Sequence, residues 1–473
     1  MSEPLIFNGL DSATGRYLLP PMNDEEMFDR LRGLPRRLSQ EQVERSRAVE
    51  GGFDTRQLAA VGWGLVLPES VAAEFSAKHG VALRSTLEPL CALRKRQAGF
   101  LYRDDREKPL IYREGESAAD FLRRYGLRKQ DLVDPYRMPY YLLLVGSPEE
   151  IPYQVQFDLG VQYAVGRICF DSPEQYLAYA EGVVAASEGS VRRRQEMALF
   201  AVENPNDGST ACTTSELVIP LEKRFSVRNS WPLSAWIGPP ANRAQLARLL
   251  AAEDRRPALL MTASHGVGAG DFCTTAAEEV QGALVCQDWG GPNTPLLREH
   301  YFAAADLDEN AQVGGLIAVL FACYSAGTPQ FDSFKRDEME RPLQTARRSF
   351  VARLAQRLLS HPNGAALAVV GHVDRAWTQL FSDGQSGMPH IGEFADLIQR
   401  LQEGHRLGAA MGSFPIRYGA LAVEMANLWN DLAASQPVDP KLFCATWRAM
   451  NDARNFVIFG DPAVRLATGD FES

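Results

Sequence analysis

The chain has 473 residues, of which 45% are hydrophobic and 23% are charged, and its net charge at pH 7 is −10. This composition is ordinary for a soluble globular protein and leaves room for two or three domains. The acidic balance argues against nucleic-acid binding as the main function. The longest apolar runs fall short of the roughly 18 residues that a membrane helix requires. We therefore predict neither a nucleic-acid partner nor a membrane partner.

The first residues and the cysteines bear on the compartment. Residues 1–4, Met-Ser-Glu-Pro, lack the basic start and apolar stretch of a secretory signal, so a cytoplasmic location is expected. The seven cysteines form no CxxC pair, which favours reduced thiols over disulfides or a zinc knuckle. His390 and Glu393 have HxxE spacing without a second histidine, which argues against a zinc site.

The first part of the chain is charge-rich, and residues 1–137 are predicted to be a support or regulatory region. Residues 23–49 favour a helix that breaks at Gly33-Leu34-Pro35, and residues 117–125 favour another. A basic stretch, 93–99, lies between them and precedes a turn-like segment. No catalytic motif stands out in this region.

From residue 138 to residue 473 the pattern changes to short apolar runs alternating with amphipathic segments. Such alternation is typical of an α/β layer fold, here one doubly wound, mostly parallel sheet or two abutting sheets. The predicted strands are 140–145, 197–202, 233–237, 258–263, 283–286, 316–322, 365–370 and 456–459. The predicted helices are 214–225, 242–252, 350–359, 392–402, 416–434 and 441–451.

Two of the predicted strands end abruptly at a reactive side chain. Residues 259–264 read Leu-Leu-Met-Thr-Ala-Ser and lead into His265, and residues 316–322 read Leu-Ile-Ala-Val-Leu-Phe-Ala and lead into Cys323. Functional sites collect at the carboxyl ends of parallel strands, and a thiol with a neighbouring imidazole forms a nucleophile and its base. These two strand ends predict a cysteine peptidase.

Small residues follow both reactive side chains. Gly266 has no side chain, so its N–H is able to approach a substrate carbonyl, and the N–H of Cys323 offers a second donor for an oxyanion. The loop after Cys323 is expected to leave the thiol exposed. Taken alone, a cysteine that ends an apolar strand is more often an inert core residue. The combination with His265 is what favours catalysis.

Four segments occur in one order along the chain. They are the first strand and turn at 140–153, the acidic–Tyr–Gly–Arg stretch at 158–167, the His-Gly and Ala-Cys-x-Ser-Ala-Gly strand ends at His265 and Cys323, and the Gly-Asp-Pro-x-x-Arg-Leu ending at 460–466. In this order they resemble the gingipain-type and CHAT-domain families of the caspase-like clan of cysteine peptidases. The resemblance covers about residues 138–466.

The resemblance implies an α/β/α caspase-like fold and a bacterial type of enzyme that hydrolyses peptide bonds without a metal or cofactor. It implies His265 as base and general acid, Cys323 as nucleophile, and Gly266 with Cys323 as the oxyanion donors. The partners expected are a protein or peptide substrate and, in addition, a regulatory partner protein. No third catalytic residue is readable from the sequence.

The loop after the strand at 365–370 carries the candidate substrate pocket. In the caspase-like clan the corresponding loop lines the specificity pocket, so Asp374 is a candidate for facing a basic substrate residue and Trp377 for walling the pocket. Gingipain-like members often cleave after Arg or Lys, whereas other members select Asp or Leu. A local salt bridge of Asp374 with Arg375, and a core position for Trp377, are the alternatives. If the pocket is acidic, residues 93–96 become a candidate self-cleavage site.

Three functional hypotheses remain open from the sequence. The leading one is a cysteine endopeptidase, and the second is a catalytically silent caspase-like module that binds a partner protein through the same cleft. A Rossmann-like nucleotide-binding enzyme is disfavoured because no Gly-rich turn follows the first strand. His372 also ends an apolar strand, but bulky residues follow it, so we expect a structural role for this histidine.

Overall fold

The computed structural model describes residues 4–33, 53–70, 80–104, 106–128, 131–228, 231–251, 255–268, 274–377 and 391–469. The second half of the helix predicted over 23–49 lies outside these residues. Its first half is confirmed as helix α1, Asp24–Arg32, which Asn23 caps by accepting a hydrogen bond from the Glu26 N–H.

The strands in chain order are β1 Leu10–Asp11, β2 Trp63–Pro68, β3 Tyr102–Arg103, β4 Leu110–Tyr112, β5 Tyr141–Val145, β6 Ala164–Ile168, β7 Arg194–Ala201, β8 Leu233–Ile237, β9 Pro257–Ala263, β10 Val267–Gly268, β11 Leu284–Val285, β12 Tyr301–Phe302, β13 Ile317–Phe321, β14 Gly327–Thr328, β15 Phe331–Arg336, β16 Pro342–Gln344, β17 Phe350–Val351, β18 Ala368–His372 and β19 Phe456–Gly460.

The α-helices that follow α1 are α2 Leu58–Val61, α3 Gly80–Ala98, α4 Ala118–Arg124, α5 Tyr153–Gly160, α6 Pro173–Ser187, α7 Gly208–Thr213, α8 Ile219–Arg228, α9 Arg243–Ala251, α10 Thr275–Val280, α11 Arg353–Leu359, α12 Gly392–Gln402, α13 Leu407–Ala410, α14 Ser413–Ala433 and α15 Pro440–Asn455. A π-helical turn, Thr214–Val218, joins α7 to α8.

One sheet of eleven strands forms the centre of the described fold, in the order β3-β2-β5-β6-β19-β18-β13-β9-β7-β8, with β4 also pairing with β2. Every pair in it is parallel except β18–β19. Each residue of β5, β9, β13 and β18 is buried, which explains why these strands are continuous apolar runs in the sequence. The predicted α/β class is confirmed, as a single sheet.

The same sheet continues into the first part of the chain. Strand β2 pairs with β5, and α3 packs against α6. Asp461 ties the two regions together, because its buried carboxylate accepts hydrogen bonds from the Trp63 indole N–H at 3.0 Å and from Arg94 Nε at 2.7 Å. A boundary at residue 137 therefore crosses a continuous sheet, and the division into a support region and a peptidase domain stays a prediction.

Three of the recognised segments contact one another in the core. The Arg167 guanidinium is buried and donates to the carbonyl oxygens of Gly146 and Ile151, in the turn after β5. A Cβ on Gly166 would lie 2.1 Å from the carbonyl oxygen of Gly460, so the absence of a side chain at Gly166 allows β6 and β19 to meet. These segments are structural, and they fix the strands that flank the site.

Candidate active site

Strands β9 and β13 are adjacent, parallel and in register, with Ala263 opposite Phe321. The ladder continues one residue further, because the Ser264 N–H donates to the Phe321 carbonyl oxygen at 3.1 Å. The same register places His265 beside Cys323, two residues beyond the last paired positions. The sheet thus brings the two predicted strand-end residues together.

Gly266 packs directly against the backbone of Cys323. A Cβ at this position would lie 1.9 Å from the Cys323 carbonyl oxygen and 2.9 Å from its nitrogen. Glycine is therefore required for a reason that the sequence analysis did not anticipate, namely the contact between the two strand-end loops. The backbone of Cys323 thus lies directly against Gly266, and the role of their N–H groups as oxyanion donors stays a prediction.

His265 is fully buried, and both of its ring nitrogens have partners. Nε2 lies 2.6 Å from Asp207 Oδ2, and Nδ1 accepts a hydrogen bond from the Gly9 N–H at 3.0 Å. Because Nδ1 is an acceptor, the ring proton of a neutral His265 is assigned to Nε2, from which it is donated to the carboxylate. The Asp207 contact therefore fixes both the orientation and the tautomer of the imidazole.

Asp207 follows β7, the strand next to β9, and caps helix α7. Its Oδ1 accepts from the Ser209 N–H at 3.1 Å and from the Tyr17 hydroxyl at 2.7 Å, and its Oδ2 also accepts from the Thr210 hydroxyl at 2.8 Å. Burial acts to raise the pKa of Asp207, but the charge of His265 and the hydrogen bonds from His265, Tyr17 and Thr210 outweigh it and lower this pKa to about 2. The group beside Nε2 is thus a carboxylate at neutral pH.

The thiol of Cys323 is completely buried, contrary to the expectation that its loop would expose it. Sγ accepts a hydrogen bond from the Ala376 N–H at 3.2 Å, and burial raises the pKa of this thiol to about 12. The expectation was wrong because it considered only the loop after Cys323. Gly9 and Ala376, which are both distant from Cys323 in sequence, lie against the sulfur atom.

Residues 5–22 form a hairpin across these strand ends, here called the N-terminal hairpin. Its strand β1 adds in parallel to β10, its two ends pair through Leu5 and Met22, and its turn lies at residues 11–16. Gly9 approaches the thiol so closely that a Cβ there would lie 3.1 Å from Cys323 Sγ. The sequence analysis found no chemistry in this region.

Asp374 is 3% exposed, and its carboxylate already has local partners. Oδ2 accepts from the Ser333 hydroxyl at 2.6 Å and Oδ1 accepts from the Arg375 N–H at 2.7 Å. The Arg375 guanidinium pairs with Asp332 at 2.6 Å rather than with Asp374. Burial and the nearby Asp332 charge raise the pKa of Asp374, while Arg375 lowers that of Asp332 to about 2.

A cleft of about 580 Å³ adjoins this group, and Asp374, Asp332 and Trp447 are among the residues that line it. Trp377 is 1% exposed and packs edge-on against Trp447, with ring centroids 4.9 Å apart. On its other side Trp377 contacts Phe7 of the N-terminal hairpin, with a centroid separation of 5.4 Å. Trp377 thus occupies an aromatic cluster between the cleft and the hairpin.

His372 lies on the neighbouring strand β18 and is also fully buried. Its Nε2 is 3.2 Å from Asp452 Oδ1, and its Nδ1 is 3.2 Å from the Asp374 carbonyl oxygen. The Phe456 ring packs edge-on against the imidazole. Of the two ring nitrogens only Nδ1 has hydrogen-bond geometry, and the structural role that we expected for His372 stays a prediction.

Two functional features were missed by sequence reasoning. Asp207 could have been found from the sequence. It caps a helix that follows β7, the neighbour of the strand that leads to His265, so its carboxylate lies at the same edge of the sheet as His265. Gly9 carried no such signal, because only the tertiary structure brings it to the site. Among the described residues, no cluster of potential metal ligands occurs and no helix is long and apolar enough to cross a membrane.

The chain matches a peptidase family in sequence, and it is similar to solved structures in fold. A solved complex of the pro- and mature domains of RgpB from Porphyromonas gingivalis shares 12% identity, with a TM-score of 0.44, covering 86% of this chain and 80% of that chain. A structure described as a protease shares 9% identity, with a TM-score of 0.45, covering 85% of this chain and 78% of that one. No curated protein matches in sequence. The family model for peptidase family C25 matches residues 115–467, and the chain, a cysteine peptidase, belongs to that family.

Proposed function

We propose that the chain is a cysteine endopeptidase in which Cys323 is the nucleophile, His265 is its base and general acid, and Asp207 orients His265. The observation that carries the proposal is the hydrogen bonding of His265. Asp207 holds Nε2, and the other ring nitrogen accepts from the N–H of Gly9, a residue where a Cβ would lie 3.1 Å from Cys323 Sγ. With Gly9 displaced, this nitrogen would be available to take the thiol proton and to give it to the leaving amine.

The chemistry then follows from the positions of these groups. With Gly9 withdrawn, Nδ1 takes the thiol proton and the thiolate attacks the substrate carbonyl carbon. The N–H groups of Gly266 and Cys323 stabilise the oxyanion, and Asp207 stabilises the imidazolium. His265 next gives its proton to the departing amine, and water hydrolyses the thioester to release the acid and restore the thiol.

A preference for Arg or Lys at the cleaved position is the finer part of the proposal. The cleft beside Asp374 supports it, because one carboxylate there, Asp332, is neutralised by Arg375 while Asp374 pairs only with neutral donors. A substrate cation would have to displace the Ser333 hydroxyl to reach it. The local alternative is that Asp374 only positions the loop.

The proposal is tested with Cys323→Ala and His265→Ala, assayed on a fluorescent protein substrate after the N-terminal hairpin has been opened by cutting a protease site inserted between the exposed residues Ala13 and Thr14. We expect both variants to lose turnover to the background. The matched control is Cys91→Ala, since Cys91 is also a buried thiol but lies in α3, remote from the site. Retained turnover in Cys323→Ala would overturn the nucleophile assignment, whereas absence of turnover in the parent protein would leave the partner-binding module as the function.

A further inference from the structure

A second cavity lies at the edge of the sheet opposite to the candidate active site. It has a volume of about 430 Å³ and is enclosed by the C-terminal halves of α3 and α6 and by the segment that follows β19. Leu58, which precedes β2, and Leu367, which precedes β18, also line it. Because Cys323 follows the other end of its parallel strand, this cavity is separate from the proposed peptide-bond chemistry.

Five arginines and one carboxylate line this cavity, here called the arginine cavity. The arginines are Arg94, Arg96, Arg192, Arg406 and Arg465. Two of them are neutralised, since Arg94 pairs with Asp461 at 2.7 Å and Arg96 pairs with Glu188, the lining carboxylate, at 2.7 Å. In the part of the chain that the structure describes, the other three arginines have no carboxylate within ion-pair distance. The cavity therefore holds an excess of positive charge.

Arg406 is the most buried of these three arginines, with 7% of its surface exposed. Its Nε donates to the Arg56 carbonyl oxygen at 2.9 Å and its Nη1 donates to that of Ala463 at 2.6 Å, so the guanidinium is held but not neutralised. Arg465 Nη2 donates to the same Arg56 oxygen at 2.6 Å, and among the described residues its buried Nε has no hydrogen-bond partner. Burial, and then the charges of Arg94 and Arg465, lower the pKa of Arg406 to about 9. The guanidinium groups thus repel one another while the cavity is empty.

Arg192 completes the cluster at the rim of the cavity, where its side chain is exposed. Its guanidinium lies against Gly189 and Gly469, and a Cβ added at either glycine would overlap it. The two glycines therefore leave room for Arg192 to lie over the cavity. An anion inside would contact arginines from segments that are far apart in sequence, which is typical of a built ligand site rather than of a local run of charge.

The lining indicates the class of ligand. Guanidinium groups bind phosphate oxygens through paired, charge-assisted hydrogen bonds, and three unpaired arginines match an anion with three or more negative charges. The volume lies within the range of small-molecule sites, roughly 300–1,000 Å³. None of the described lining residues is aromatic, so a nucleobase would find no ring on which to stack. These properties favour a compact anion of linked phosphate groups over a nucleotide.

We propose that the arginine cavity binds a compact oligophosphate, two or three linked phosphate groups without an aromatic base. Arg192, Arg406 and Arg465 would donate to its oxygen atoms, and its charge would relieve the repulsion among the guanidinium groups. Because Arg94 belongs to the first part of the chain and Arg465 follows β19, the bound anion would stabilise the fold where these two regions meet. The proposal does not depend on peptidase activity, and its test needs no turnover.

The test measures binding of inorganic triphosphate to the full chain by isothermal titration calorimetry at constant ionic strength. For the parent we expect a Kd below about 100 μM and, at saturation, a thermal midpoint raised by about 2 °C or more. Arg192→Gln, at an exposed position that should not disturb folding, and Arg465→Gln should each weaken binding about tenfold. Glu188→Gln removes the lining carboxylate and should tighten binding. The matched control is Arg248→Gln, an exposed arginine of α9 outside the cavity, which should change the Kd less than about twofold.

Four results would overturn the proposal. The first is a Kd weaker than about 1 mM for the parent, and the second is an equal loss of affinity in Arg192→Gln and Arg248→Gln, which would show a response to net charge alone. Binding of citrate as tight as that of triphosphate would contradict the choice of phosphate, and tighter binding of adenosine triphosphate would contradict the exclusion of a base.

A last variant addresses the acidic residues that follow Gly469. Asp470 and Glu472 lie outside the described residues, and the double variant Asp470→Asn/Glu472→Gln should leave the triphosphate Kd within about twofold of the parent. Binding tightened by more than about tenfold in this variant would assign the cavity to residues 470–473 and would also overturn the proposal.

Discussion

Replacement of Asp207 by asparagine tests the catalytic arrangement most directly. The carboxylate has its pKa lowered from 3.8 to about 2 despite burial, which corresponds to a favourable interaction of about 2 kcal/mol with its surroundings, His265 first among them. In Asp207→Asn the side chain loses this charge, and one oxygen is replaced by an NH2 group, which is a donor. That NH2 group would face either Tyr17 and Ser209, which donate to Oδ1, or His265 and Thr210, which donate to Oδ2. On that side of residue 207, donors then face one another without an acceptor.

The loss of activity expected for Asp207→Asn follows from the strength of these interactions. Loss of an interaction of about 2 kcal/mol in the transition state corresponds to a decrease of about 30-fold in kcat/KM, and breaking a buried charged pair raises the loss toward 3–5 kcal/mol, or about 1000-fold. The loss should fall mainly on kcat, because the imidazolium that Asp207 stabilises forms only during the reaction. Steady-state kinetics on the hairpin-opened protein measure both parameters.

The structure supplies a matched control for this variant. Asp452 is also fully buried, lies beside His372, and accepts the Trp377 N–H at 2.8 Å. In Asp452→Asn the amide oxygen still accepts that bond, so we expect turnover to stay within about threefold of the parent. A kcat of Asp207→Asn that also stays within threefold, in a folded protein, would refute the orienting role of Asp207.

Four further outcomes are expected. Cys323→Ala should keep a far-ultraviolet spectrum and thermal midpoint close to the parent, since a thiol is exchanged for a methyl group inside an apolar site; unfolding of the variant would contradict this. Turnover should survive EDTA and be abolished by thiol alkylation, and inhibition by EDTA that zinc alone reverses would exclude the thiol mechanism. Asp374→Asn should weaken cleavage after Arg, by up to 3–5 kcal/mol if the ion pair is fully buried, in a peptide-library profile, with a profile dominated by Asp or aliphatic residues counting against the pocket role. The contribution of Asp207 to the free energy of unfolding should fall by about 2 kcal/mol as the pH drops from 4 to 2. A carboxylate whose pKa is lower in the folded state than in the unfolded state stabilises the fold while it is ionised, and this contribution is lost when it is protonated. Denaturant titrations of the parent and of Asp207→Asn at about pH 4.5 and 2.5 measure the difference.

The local sequence is sufficient to predict the strands that are buried on both faces. The predicted strands 258–263 and 456–459 agree with β9 and β19 to within one residue, and the helix predicted over 392–402 is α12 without adjustment. In these segments apolar periodicity and tertiary burial agree, so the pattern alone is sufficient. The helix predicted from residue 350 begins only at Arg353, because Phe350 and Val351 pair as β17 with β14.

Non-local contacts account for what the sequence did not reveal. Strand β2 is a six-residue apolar segment inside a charge-rich region, and its assignment depends on pairing with β5, some 80 residues later. The contact between Gly9 and His265 joins residues separated by 256 positions, and no local periodicity or cap marks it. The side chains of the candidate dyad were predictable because parallel strands deliver their carboxyl ends to one edge, whereas the covering hairpin obeys no such rule.

The position of β19 has a consequence for how an active molecule comes into being. This strand, near the carboxyl end of the chain, is the only strand of the central sheet that pairs with both β6 and β18, and it thereby joins the half that begins at β2 to the half that carries His265 and Cys323. A nascent chain on the ribosome cannot close this sheet before residue 460 has emerged. Chains synthesised only as far as β18 therefore hold two unjoined half-sheets, and the hydrolase is assembled only after β19 has been made.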